Sequence, residues 1–323
     1  MSSENLVHAV AGAALVAGCS SFILGQRAQN AEICKNLENL IQTDAYAFYL
    51  KEKLYEVFKT CPSNDSSEPR VIKILKYGFP GLDNIRVFSD HILSYDRRNR
   101  VAHWVLEHIT DPCISNQFGV NRKIAVFRSD IAIPTMFRST NQDYYRSGFD
   151  RGHLAAAANH KLNQQHMNDT FVLSNIAPQV GVGFNRDSWN DLEMYTRNLL
   201  NSYPEIYICT GSMNEPKVKN SNLCVEYDCI GSSVVAVPTH FFKIILCLTK
   251  DGKFVLESYA MPNEYISNDI DLKTFRRPPE AIEKITGLQF FDKIKRNQYV
   301  SINGSQVRND DDDDGNQEEA PDP

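Results

Sequence analysis

The sequence predicts an α+β fold, a mainly antiparallel central sheet flanked by helices. Three observations carry the prediction. Strand-like and helix-like segments do not alternate regularly, and no glycine-rich βαβ fingerprint appears. Two short apolar runs, Ile92–Tyr95 and Ala102–Leu106, flank the turn residues Asp96 to Asn99 and read as a hairpin. Four further strand-like runs fall late in the chain.

In chain order, Leu6 to Gln26 is largely apolar and, His8 aside, free of acidic and basic residues. It approaches the ~20 residues that span a bilayer. With Glu4 and no Lys or Arg before Arg27, it looks more like a signal anchor than an Arg-rich presequence. In 30–60, Leu37, Leu40, Ile41, Tyr46, Tyr49, Leu50 and Leu54 recur at helical spacing, and PSNDSSEP (62–69) reads as a linker. Tyr144 to Phe149 leads into the run Asp150-Arg151-Gly152-His153. Residues 185–203 read as an amphipathic helix with Trp189, Leu192, Leu199 and Tyr203 on its buried stripe. Ile206–Thr210, Val234–Val237, Phe241–Leu248 and Phe254–Ala260 read as strands. Pro279–Thr286 is a helix opened by proline and closed by Gly287. Beyond 308 the chain has eight acidic residues and no base, too apolar-poor to fold alone.

The charge is unevenly spread. The whole chain carries −6, yet residues 70–308 hold 29 basic and 24 acidic side chains, a net of +5. A mildly basic globular part suits a surface that meets phosphate. The eight cysteines show no CxxC or metal-finger spacing; Cys209 and Cys247 sit in apolar runs as buried thiols, and Cys224 and Cys229 can approach across a loop.

The chemistry concentrates in two segments. In an extended Asp150–His153, side chains two apart share a face, so Arg151 and His153 lie together. Asn185, Trp189 and Glu193 are spaced i, i+4, i+8, along one side of a helix. A base, a cation, an amide oxygen and a carboxylate suit metal-assisted cleavage of a phosphodiester. Asp150 is placed to support the site by orienting His153 or Arg151. Gly152 leaves room for a close approach of backbone and phosphodiester. Arg146, Arg186 and Lys161 are further basic side chains for a nucleic-acid backbone, while His160, His166 and His240 read as structural.

DRGHLAAAANH (150–160), FVLSNIAPQ (171–179) and NRDSWNDLE (185–193), with ILKYGFPG (74–81), CTGS (209–212), VAVPTHFFK (235–243) and YAMPN (259–263), resemble the DNA/RNA non-specific ββα-metal nucleases, and within them the mitochondrial members. The resemblance covers about residues 70 to 292. It implies a ββα-metal fold and an endonuclease for DNA and RNA without sequence or sugar preference. It implies Mg²⁺ or Mn²⁺ on Asn185, His153 as general base, Arg151 as phosphate clamp, Glu193 holding a metal-bound water and Asn175 as a positioning residue. It also implies a homodimer in mitochondria, its N-terminal segment in the inner membrane facing the intermembrane space. Release to the nucleus would permit apoptotic DNA degradation; secretion and a catalytically silent binder are the alternatives. The expected organisation is a targeting or anchor segment (1–29), a helical spacer and linker (30–69), a nuclease domain (70–300) and an acidic tail (301–323).

Overall fold

A computed structural model describes residues 70–307, Leu82 excepted. The apolar N-terminal segment, the helix expected in 30–60 and the acidic stretch beyond 308 lie outside the described residues. The strands are β1 (Ile85–Val87), β2 (His91–Asp96), β3 (Val101–Ile109), β4 (Asp150–His153), β5 (Ile176–Gln179), β6 (Glu205–Met213), β7 (Lys217–Lys219), β8 (Asn222–Cys224), β9 (Cys229–Ile230), β10 (Val235–Ala236), β11 (His240–Leu248), β12 (Phe254–Pro262), β13 (Tyr299–Ile302) and β14 (Ser305–Gln306).

Eight of them form one sheet in the order β1-β2-β3-β6-β11-β12-β13-β14. All neighbours pair antiparallel except β12 with β13. The expected hairpin is β2–β3, with a bulge at Ser94/Tyr95. The sheet continues to Gln306, past the domain boundary expected at 300, because the short C-terminal hairpin adds edge strands to it.

Because side chains alternate across a strand, the sheet feeds two separate cores. One face buries Trp104, Leu106, Tyr207, Cys209, Phe242, Ile244 and Leu246, with Ile282 of the helix Pro279–Thr286 and Ile74 and Leu75 packed on them. That helix ends at Gly287, whose φ of 72° is the left-handed cap glycine favours. The other face buries Val105, Ile109, Ile206, Ile208, Phe241 and Ile245 beneath the helix Trp189–Asn198, which contributes Trp189 and Leu192. Leu199 and Tyr203 pack on the same core, completing the expected stripe. On this second face three neighbouring strands also bury polar side chains, Glu107 on β3, Thr210 on β6 and Lys243 on β11. Thr210 and Lys243 are register partners, and Lys243 Nζ donates to Thr210 Oγ1 at 2.7 Å.

Cys209 and Cys247 are buried as expected. Cys224 and Cys229 are both free thiols, so no disulfide joins them.

Candidate active site

A two-stranded ribbon, β4 paired antiparallel to β5, carries Asp150 to His153 over the helix-covered face. Arg151 and His153 share one side of β4, as an extended segment dictates: the Arg151 guanidinium carbon lies 4.4 Å from the Phe127 ring centre, and the His153 ring lies 5.4 Å from the same ring. Arg151 Nη1 donates to Asn141 Oδ1 at 2.8 Å, and its side chain is otherwise exposed.

His153 is only 8% exposed, wedged between Phe127 and Phe171, with its Nε2 buried and without a hydrogen-bond partner. Burial, then the positive charges of Arg122 and His160, lower its pKa from 6.5 to about 3. The imidazole is therefore neutral at physiological pH, the form that accepts a proton. An anionic phosphate beside it would oppose the shift and raise its basicity.

Asn175 is fully buried. Its Oδ1 accepts from Ala155 N, and its Nδ2 donates to Ala155 O and Thr170 O, so one amide fixes the backbone turn immediately after His153. Gly152 is also explained by packing inside the protein. A Cβ there would fall 1.9 Å from Oε1 of the buried Gln179, so the glycine makes room for a protein side chain; the expectation that it spares space for substrate is corrected.

Asn185 precedes the helix proper. Gly181–Ser188 winds in wider turns, kinked where Val182 is extended and Gly183 takes a φ of 83°. The expected single helix over 185–203 is thus a wide-turn entry, a regular helix Trp189–Asn198 and a final tight turn Leu199–Asn201. Asn185 Nδ2 donates to Asp150 Oδ2 at 2.9 Å, which points the amide and leaves its Oδ1 for a cation. Arg186 binds the same carboxylate with both Nε (2.7 Å) and Nη2 (2.6 Å). Asp150 therefore orients Asn185, not His153 or Arg151, which corrects the role expected for it. The guanidinium of Arg186, with its side chain 62% exposed, is already paired with Asp150. Arg186, more than any other contact, together with Asn185 holds the Asp150 carboxyl below the usual range.

Glu193 is largely buried, 15% exposed, with Arg197 Nη1 at 4.0 Å one turn on. Burial raises its pKa, opposed by Lys243 and Arg197. Arg122 acts electrostatically on both Glu193 and His153. A cavity of about 290 Å³ adjoins, lined by Arg122, Lys161, Ala158 and Met167 among others. Lys161 thus opens onto a basic hollow, whereas Arg146 is exposed beside Tyr145 with nothing joining it to the site.

Sequence reading did not single out Arg122, Arg197 or Lys243. Lys243 had a legible signal, one charge inside the apolar run FFKIIL. Arg122 had none, since it lies in a tight turn far from the other motifs. Among the described residues no three His, Cys, Asp or Glu side chains gather to hold a metal ion. The donor set on offer is the Asn185 amide oxygen beside the Asp150 carboxylate, which suits a hard cation that retains several waters.

Residues 70–297 match the family model for DNA/RNA non-specific endonucleases. The chain belongs to that family. Its members hydrolyse phosphodiester bonds in nucleic acid, and this chain is an endonuclease of that kind. It is 40% identical over 302 residues to mitochondrial endonuclease G of Caenorhabditis elegans, covering 93% of this chain and 98% of the relative. It is 43% identical over 223 residues to the Homo sapiens protein of the same name, covering 69% and 74%. The crystal structure of the EndoG/EndoGI complex superposes with a TM-score of 0.74 at 50% identity, over 76% of this chain and all of that one. The ββα-metal fold expected from the sequence agrees with this match.

Proposed function

We propose that the chain cleaves DNA and RNA with a divalent cation, Mg²⁺ or Mn²⁺, held through Asn185 Oδ1, and with His153 as general base. The observation that carries the reading is the unpartnered, buried Nε2 of a neutral His153, with Arg151 beside it on the Phe127 ring and the charge of Arg122 acting on it. The imidazole takes a proton from the attacking water. Bound at Asn185, the cation would polarise the phosphate and stabilise the leaving oxygen. Asp150 keeps the Asn185 oxygen turned outward. Glu193 positions water, and Arg151 and Arg122 neutralise charge building on phosphorus. Lys161 meets the nucleic-acid backbone. Asn175 holds the turn that aims His153.

The relatives described as mitochondrial support the same location for this chain. The family resemblance adds the finer reading of a homodimer anchored through its N-terminal segment in the intermembrane space. Cleavage of plasmid and RNA by the full chain tests the chemistry. Activity with Mg²⁺, its loss in EDTA and its loss in His153→Ala are expected. DNA binding without hydrolysis by the unaltered chain would overturn the reading.

A further inference from the structure

The end of the DRGHLAAAANH segment builds something the proposed chemistry leaves unused. His160 is fully buried, with Nδ1 2.7 Å from Asp90 Oδ2 and Nε2 3.0 Å from Glu107 Oε1. Both carboxylates are themselves fully buried. A carboxylate oxygen only accepts, so both ring nitrogens must donate, and the ring is an imidazolium. Asp90 takes a second cation, Arg70, with Nε at 2.6 Å.

From there the contacts lead toward the site. The Glu107 oxygen that binds His160 also accepts from Asn159 Nδ2 at 2.9 Å. That bond fixes which way the Asn159 amide faces, because its nitrogen is committed to a carboxylate. Its oxygen is thereby turned to Arg197, whose Nη1 donates to it at 3.2 Å. The same Arg197 nitrogen lies 4.0 Å from Glu193. The three residues between His160 and Glu193 come from separate stretches of chain: Glu107 from β3, Asn159 from the tight turn Ala157–Asn159, and Arg197 from the helix.

We propose that His160 is a positioning residue for catalysis, acting through Glu107 and Asn159 to hold the Arg197 guanidinium beside Glu193. The inference rests on reading Glu193 and Arg197 as working parts of the site. A purely structural ion cluster has no need of the Asn159 link, which ends the row on an arginine at the edge of that site. Burial works against the charged ring, but Asp90 and Glu107 outweigh it and raise its pKa to about 9, so the ring stays charged at neutral pH.

The test uses the full chain on plasmid DNA with Mg²⁺, with kcat and KM measured for Arg197→Ala, His160→Gln, Asn159→Ala and the double variant His160→Gln/Arg197→Ala. Near-UV circular dichroism gives the folded fraction. Arg197→Ala is expected to lower kcat. His160→Gln and Asn159→Ala should each lower kcat about 10- to 100-fold, as loss of an outer partner does, with KM within about twofold. The double variant should be no slower than Arg197→Ala alone. Folded His160→Gln with unchanged kcat, or a double variant whose losses multiply, overturns the relay. Full activity in Arg197→Ala overturns the reading of the site as well, so the two failures are distinguishable. If His160→Gln does not fold, Asn159→Ala combined with Arg197→Ala carries the same comparison. Ring ¹⁵N shifts of the unaltered protein should show both His160 nitrogens protonated at pH 7; a neutral ring overturns the proposal at its first step.

Discussion

The two faces of the central sheet are built from the same strands yet obey different rules. On β6 and β11 the face toward the helix Pro279–Thr286 presents Tyr207, Cys209, Phe242, Ile244 and Leu246, with its charge kept to Glu205 at the strand end, paired to His108. The face toward the helix Trp189–Asn198 interrupts an equally apolar layer with Thr210 and Lys243, and Glu107 joins them from β3. Burying ionised groups disfavours folding unless they are paired. Lys243 answers with a bond to Thr210 and a seat 4.8 Å from the Trp189 ring centre. Glu107 answers with His160 and Asn159, though its Oε2 has no hydrogen-bond partner. One face keeps its charge at the margin; the other buries charged and polar groups within its core, on the side where β4 and β5 pack.

Substitutions can break this contrast. The largest effect is expected from His153→Ala, which removes the base and should cut kcat by about 10²- to 10⁴-fold, as loss of general-base catalysis does. Its thermal midpoint should hold or rise, because an unpaired buried nitrogen goes with it. A melting curve beside a cleavage assay checks both. Phe242→Ala on the opposite face should do the reverse. A fully buried aromatic there costs about 3–5 kcal/mol by urea titration. The fraction still folded should keep its kcat. A Phe242→Ala enzyme with depressed kcat per folded molecule would show that the two faces are not separable.

Asp150→Asn sharpens the comparison at the site's rim. The Arg186 contact is exposed and screened by solvent, so stability should hardly move. Activity should fall about 10- to 100-fold, the usual cost of losing a residue that orients a ligand. The deficit should narrow as the divalent cation is raised. An equal deficit at all cation concentrations would refute the orienting role.

The smallest effect is a pH signature of stability. His153 has a folded pKa lowered from 6.5 to about 3, so the unfolded chain takes up a proton that the folded chain refuses between those values. Stability therefore falls as pH drops below 6.5. His160 has its folded pKa raised from 6.5 to about 9, so its contribution is complete below 6.5 and is lost as pH rises toward 9. The groups facing it are Asp90, Glu107 and the neutral, buried His91. Urea midpoints from pH 4 to 9 should show a dome, and His160→Gln should flatten its alkaline side. An unchanged alkaline limb would remove His160 as its cause.

Legibility in the sequence followed length and local pattern. The hairpin β2–β3 and strands β6, β11 and β12 were readable because long apolar runs announce buried strands. Strands β1, β4, β5 and β14 are two to four residues long and carry no period. Site residues inside contiguous motifs, His153, Arg151, Asn185 and Glu193, were legible with their spacing. What each one binds was not, because it depends on chain brought from elsewhere. Asp150 turns to Asn185 and Arg186 thirty-five residues on, and His160 reads as an ordinary structural histidine until Asp90 and Glu107 are seen to close on it.

The Asp150 carboxylate gathers three hydrogen bonds from Asn185 and Arg186 and so pins the β4 ribbon to the entrance of the helix. The segments that carry His153 and Asn185 are thereby clasped through side chains as well as through the 31 residues of chain between them. Loosening that clasp would leave the ribbon and the helix entrance held only by the β4–β5 pairing and the buried side chains of 154–184, which fix the two segments less directly.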